Sequence, residues 1–222
     1  MHKLILDRLD EELIKEVQPS FNDLPHTGHA DSEFRLRRYS VIDFCGAPVG
    51  ESTFVQSSDY NKYQGGVLRD FEPIEDSVVN SKCFRKMLGL FKYSGEITME
   101  NVEVHQMRIT VPKSMSVAEL SPEGPHQDGF DCIGIFSIDR HNICGGELLI
   151  LNDKDSHPFW SFILKPGTVV ILDDRTLWHD GNCISRDVEG IEENYMDVFV
   201  FTARRDEVVD DTTDQWDNEG GQ

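Results

Sequence analysis

From residue 102 to residue 203 the chain is a succession of short apolar segments: VEVHQMRITV, CIGIFSI, ELLIL, FWSFIL, TVVILDD, TLWH and MDVFVFTA. They are rich in Val, Ile and Phe and are separated by turn signals, Gly145-Gly146 and Lys165-Pro166-Gly167-Thr168 among them. Segments of that length and composition are strands, too short and too β-branched for helices. So many short strands in regular succession bury their apolar faces by folding into two facing sheets. The spacing therefore predicts a mainly β fold, a jelly-roll or cupin-like double sheet.

The region ahead of these strands reads differently. Leu6, Leu9, Leu13 and Val17 recur at helical spacing through LILDRLDEELIKEV, and Pro19 closes the segment, so one amphipathic helix is expected there. A second helix is expected over residues 81–91, with Phe84, Leu88 and Phe91 on its inner side. Residues 33–42 alternate as a strand does, with Arg35, Arg37 and Tyr39 on one face and Phe34, Leu36 and Ile42 on the other. Residues 67–71, after Gly65-Gly66, form a further short strand. The whole is a β core flanked by N-terminal helices.

With 222 residues, 38% of them hydrophobic, the chain suits one globular unit. We expect a single domain over residues 1–205, with its core at 102–203. Residues 206–222 hold seven acids, no Lys or Arg and few large apolar side chains, which predicts a disordered acidic tail. The formal charge of −20 repels a phosphate backbone, so no nucleic-acid partner is expected. Apolar runs such as Val198–Phe201 are far too short to span a bilayer, which points to no membrane partner and a cytoplasmic protein. The five cysteines are scattered without a CxxC pair and read as reduced thiols.

Against this background one constellation carries chemistry. GPHQDGFD places His126 and Asp128 two residues apart at the mouth of a strand, and His179 follows within LDDRTLWHDG. Alternate residues of an extended segment point to one side, so His126 and Asp128 can grip one ion while Gln127 turns away. Two His and one carboxylate on one face of an octahedral ion leave the opposite face open, as non-haem Fe(II) oxygenases require. An HxD pair also arises by chance, and a His beside Trp178 can be plain core. Zinc would fit the same three ligands, but no positioned general base accompanies them.

GPHQDGFD, GGELLIL and LKPGTVVILDDRTLWH, in that order, resemble the double-stranded β-helix core of the Fe(II)/2-oxoglutarate-dependent dioxygenases. FRLRRYS (Arg35, Arg37, Tyr39, Ser40), GGVLRDF (Gly65, Gly66, Arg69, Phe71) and VHQMRI (His105, Gln106, Arg108) are similar to segments of bacterial free L-amino-acid hydroxylases of the L-isoleucine 4-dioxygenase type. The resemblance spans about residues 33–203. It implies Fe(II) on His126, Asp128 and His179, 2-oxoglutarate as cosubstrate, and hydroxylation of a small-molecule substrate with release of succinate and CO2. It also implies an arginine at the start of the last core strand, clamping the distal carboxylate of 2-oxoglutarate in a bidentate pair. That position holds Met196. Arg186 is the first candidate for a displaced clamp and Arg108 the second, with Arg175 behind them.

A free amino acid needs a cation for its carboxylate, an acid or carbonyl for its amine, and an apolar pocket. Arg35, Arg37 and Arg69 are available for the first task, and Trp178 or Phe130 for the pocket wall. Two other readings accommodate the same residues. One is an oxygenase acting on a protein or peptide side chain; the other is a cupin-like sensor that no longer oxidises.

Overall fold

The computed structural model describes residues 4–60 and 65–205, so the acidic segment at 206–222 lies outside the described residues. In chain order its elements are β1 (Leu4–Arg8), α1 (Glu11–Val17), a 3-10 turn (Gln18–Phe21), β2 (Arg35–Asp43), β3 (Thr53–Phe54), β4 (Arg69–Asp70), α2 (Asp76–Val79), α3 (Lys82–Gly95), β5 (Asn101–Thr110), β6 (Val117–Ala118), β7 (Cys132–His141), β8 (Ile143–Gly145), β9 (Glu147–Leu151), β10 (Trp160–Ile163), β11 (Thr168–Asp173), β12 (Trp178–Gly181), β13 (Ile184–Arg186) and β14 (Tyr195–Ala203). Six strands form one antiparallel sheet in the order β1-β11-β7-β14-β5-β2. A smaller sheet, β10-β9-β12, faces it, and the ribbon β6-β13-β8 and hairpin β3-β4 complete the β structure. This is the expected mainly β double sheet. No helix among the described residues is long and apolar enough to cross a membrane.

The central strands of the large sheet have two covered faces, and the sequence of β7 shows it. Cys132 to Ile138 are buried without interruption. One face packs on α3, whose Phe84 and Phe91 meet Phe201 with ring centroids 5.5 and 5.7 Å apart. Ser81 caps that helix by accepting a hydrogen bond from the Phe84 N–H at 3.1 Å. The other face, carrying Ile133 and Ile135 on β7 and Val198 and Val200 on β14, looks across to β9 and β12 and lines a cavity between the sheets.

The amino-terminal expectation needs correction. Residues 4–8 form a strand, not the first turns of a helix, and α1 begins only at Glu11. The apolar set splits accordingly, with Leu9 2% exposed and Leu6 53% exposed. The reason is tertiary. β11 would otherwise present an unpaired edge, and Leu4 to Arg8 satisfy it in register with Leu172 to Thr168. Local helical periodicity loses to five strand pairings.

Candidate metal centre and cavity

An isolated antiparallel bridge joins His126 to His179, with backbone N–H to O distances of 2.9 and 3.0 Å in the two directions. This bridge brings the two histidines together across 53 residues of chain; their ring centroids are 4.3 Å apart. Asp128 Oδ1 lies 3.5 Å from His126 Nε2 and Asp128 Oδ2 lies 3.8 Å from His179 Nε2. One ligand atom from each of the three residues falls within 4.8 Å of the others. Gln127 does turn away, donating to the backbone carbonyls of Asp174 and Leu177.

One ring is hydrogen-bonded through its other nitrogen, and the second turns that nitrogen to a carboxylate. His126 Nδ1 is 2.8 Å from the Gly124 carbonyl, and His179 Nδ1 faces Asp174 Oδ1 at 3.7 Å. Each Nε2 is thereby aimed at the shared centre, the arrangement that orients histidine ligands in metal sites. Asp174 has a second task. Its Oδ2 accepts the backbone N–H groups of Asp128, Gly129 and Phe130 at 2.9, 3.0 and 3.2 Å, which fixes the loop that carries Asp128. Gln56 steadies the third ligand by donating to Asp128 Oδ1 at 3.0 Å.

The electrostatics of the cluster suit a cation. Burial pulls the His126 imidazole down, but Asp128, Glu123 and the Gly124 carbonyl outweigh it and raise it to about 9. Burial and the neighbouring His126 lower His179 to about 3. Burial opposes ionisation of Asp128, yet both histidines and Gln56 hold its carboxyl well below the usual carboxylate range. Burial and the charge of Asp128 raise Asp174 to about 7 against its three backbone donors. The cluster thus favours the ionised carboxylate of Asp128 beside the two imidazoles. Two imidazoles and a carboxylate, with no thiolate, fit Fe(II) or a similar divalent metal.

The triad opens into a cavity of about 190 Å³. Arg35 and Arg37, of β2, and Arg69, of β4, reach it, as do Glu123, Phe130 and Asp180. Asp31 Oδ2 accepts from both Arg35 Nη1 and Arg37 Nη2 at 3.1 Å. Sequence reasoning gave no site role to His105, which also lines the cavity, packed against Tyr39 and Phe54 at 4.7 and 4.8 Å between centroids. Burial, Arg37 and Arg69 lower its pKa well below 6.5.

Four expected residues lie elsewhere. Trp178, next to His179 on β12, is outside the cavity wall. Arg108 makes a bidentate pair with Asp197, 2.7 Å at both contacts, and stacks on Tyr195 at 3.9 Å. Arg186 donates to the backbone carbonyls of Val111, Pro112 and Met115. Both line a separate cleft bounded by Lys113 and Glu192 and are absent from the triad's cavity. Arg175 is also outside it, paired with Asp131. Met196 does face the cavity.

Comparison with solved structures places the fold. A bsmA homolog from Methylobium petroleophilum PM1 superposes with a TM-score of 0.74 at 23% identity, covering 88% of this chain and 82% of that one. IDO from Bacillus thuringiensis gives a TM-score of 0.66 at 16% identity, covering 92% and 93%. The Fe(II)/α-ketoglutarate-dependent dioxygenase TqaL gives 0.60 at 14% identity, covering 91% and 82%. No curated protein sequence matches the chain. Residues 18–202 match the model of the 2OG-Fe dioxygenase family, a span that contains the His126–Asp128–His179 cluster and its cavity, and the chain belongs to that family.

Proposed function

We propose that the protein hydroxylates a free L-amino acid or a close derivative, with Fe(II) on His126, Asp128 and His179 and the substrate carboxylate on Arg35, Arg37 and Arg69. The family's cofactors are Fe(II) and 2-oxoglutarate, and the protein is a dioxygenase. When bound, and with dioxygen as the oxidant, they would couple oxidative decarboxylation of 2-oxoglutarate, to succinate and CO2, to hydroxylation of a substrate C–H bond, one oxygen atom going to succinate and one to the substrate. The protein's own residues supply ligands, orientation and a cavity that excludes bulk water.

The observation that carries the substrate class is the gathering of three guanidiniums on one wall beside the triad. Asp31 serves two guanidiniums at once, and Arg69 adds a third to the same wall. Burial and the like charges of Arg35 and Arg69 lower Arg37 to about 9, more than Asp31 and Glu123 restore. A substrate carboxylate relieves that strain, and forked guanidiniums bind carboxylates bidentately. Glu123 and Asp180, on the same cavity, are acceptors for an ammonium group. A cavity of about 190 Å³ with its cations buried suits a metabolite better than a polymer.

The test is succinate formation by anaerobically purified, Fe(II)-loaded protein given oxygen, 2-oxoglutarate and each of the twenty L-amino acids in turn, with His126→Ala as control. Succinate that rises with one or a few amino acids, and not in the variant, is the expected result. No rise with any of them removes the free-amino-acid reading and turns attention to peptides.

A further inference from the structure

The cavity has a second end that the arginine cluster does not explain. Register across four strands of the large sheet sets Arg35, Ile109, Met196 and Arg140 in one row. Arg140 owes its place there to a bulge. Between Asp197 and Val198 the pairing of β14 with β7 shifts, so that Val198 faces Ser137 while Asp197 faces Asp139. Ile138, skipped by the pairing, is fully buried in the helix-side core. Without the bulge the residue opposite Met196 would be Asp139. With it, the side chain brought to the cavity side is Arg140, the re-aiming that bulges produce.

The guanidinium of Arg140 is poorly occupied. Nη2 donates to the Gly145 carbonyl at 2.7 Å, and Nη1 reaches only the Met196 thioether, at 3.5 Å. A thioether is a weak acceptor. No carboxylate of the described residues lies within ion-pair distance of Arg140, whereas Arg35 in the same row is held by Asp31 and the Leu120 carbonyl. Gly146 stands between Arg140 and the cavity. A Cβ there would come within 3.3 Å of Arg140 Nη1 and 2.7 Å of Ile184, and its φ of +75° is one that favours glycine. Gly146 and Met196, the residues that Arg140 Nη1 approaches, both line the cavity, while Arg140 itself lies just behind that lining; the wall also carries the apolar Ile135, Leu148, Leu164 and Val198.

We propose that Arg140 binds the distal carboxylate of 2-oxoglutarate, reaching over Met196 from the neighbouring strand. The cosubstrate has a 2-oxo-acid end for the metal, two methylenes and a terminal carboxylate. A metal triad, an apolar passage and a guanidinium with unspent donors match those three parts in order. The assignment rests on the family's cosubstrate and on this geometry, and it is independent of which substrate is hydroxylated.

Titration calorimetry on the anaerobic, Mn(II)-loaded full chain, with no amino acid present, tests it. The two ligands are 2-oxoglutarate and 2-oxopentanoate, which has the same carbon skeleton but a methyl group in place of the distal carboxylate. Arg140→Met is expected to weaken 2-oxoglutarate about 10- to 100-fold and to leave 2-oxopentanoate unchanged. Adding Met196→Arg to that variant restores selectivity for the diacid, which a merely structural residue would not permit. Should Arg140→Met fail to fold, Arg140→Lys carries the test, with a smaller loss confined to the diacid. Equal weakening of both ligands, or undiminished 2-oxoglutarate binding, overturns the assignment. So does a diacid-specific loss in Arg37→Met instead, which would move the clamp to the arginine cluster.

Discussion

Asp174 is the residue on which the geometry of the metal centre most depends. It is 1% exposed, carries three backbone N–H groups of the Asp128 loop on one oxygen, and turns the other to His179. Asp174→Asn keeps an acceptor for the loop but sets an amide N–H₂ against His179 Nδ1, which disturbs the tautomer that leaves Nε2 free for the ion. We expect metal affinity to fall about 10- to 100-fold with the fold retained. Competition titration of Mn(II) against a chelator, with circular dichroism alongside, measures both; unchanged metal affinity would refute the role. The ligand triad was legible in the sequence because HxD and a later His are local signals. Asp174 was not, since its role depends on contacts with residues 128–130 that no spacing rule encodes. The same holds for Arg140, whose orientation is set by a bulge.

At the scale of elements, the long strands and α3 could be read from composition because local preference and tertiary demand agree there. The remaining strands, β1, β3, β6, β8 and β13, are two to five residues long and owe their conformation to a partner edge. That Arg108 and Arg186 lie outside the triad's cavity was not legible for a related reason. Strand alternation tells which residues share a face, but not which face of a strand looks toward the cavity, and Asp197 pairs with Arg108. Asp131 shows how such elements are joined. Its N–H donates to the Ala203 carbonyl at the end of β14, and its carboxylate accepts from Arg175 after β11 and from the Arg205 N–H. Burial pushes the Asp131 carboxyl up, but Arg175 and the Arg205 N–H outweigh it and hold it below its ordinary value of 3.8. A carboxyl depressed by folding contributes stability that is fully present above its unfolded pKa and disappears as pH falls through the folded one. Asp131→Asn should therefore cost about 1–2 kcal/mol at pH 7, and the difference from the parent should shrink as pH drops below about 4. Urea denaturation at several pH values reads this directly, and a pH-independent difference would count against it.

For the whole molecule, the topology leaves two places where the large sheet could be extended by another chain. β2 forms one margin, and its backbone is partly engaged by the segments carrying Pro25, Ala47 and Glu72. At the other margin β11 is covered by β1 alone. Val169 to Leu172 of β11 are all buried, and they form an apolar, β-branched run of the kind that recruits a strand when exposed. Removing residues 1–8 uncovers that edge while sparing Leu9, which anchors α1 to the core. A net charge of −20 opposes association between copies at low ionic strength, so the exposed edge and the charge act against each other. Salt screens the charge over about 10 Å at 0.1 M and leaves backbone pairing untouched. The truncated protein should therefore melt about 5 °C or more below the full chain, remain largely monomeric at low salt, and self-associate as salt rises. Light scattering during size-exclusion chromatography across a salt series decides the matter. A truncated chain that stays monomeric at high salt and melts like the parent would show that β1 is an ornament on the sheet, whereas salt-driven association would identify it as the cover that keeps this acidic barrel closed at its margin.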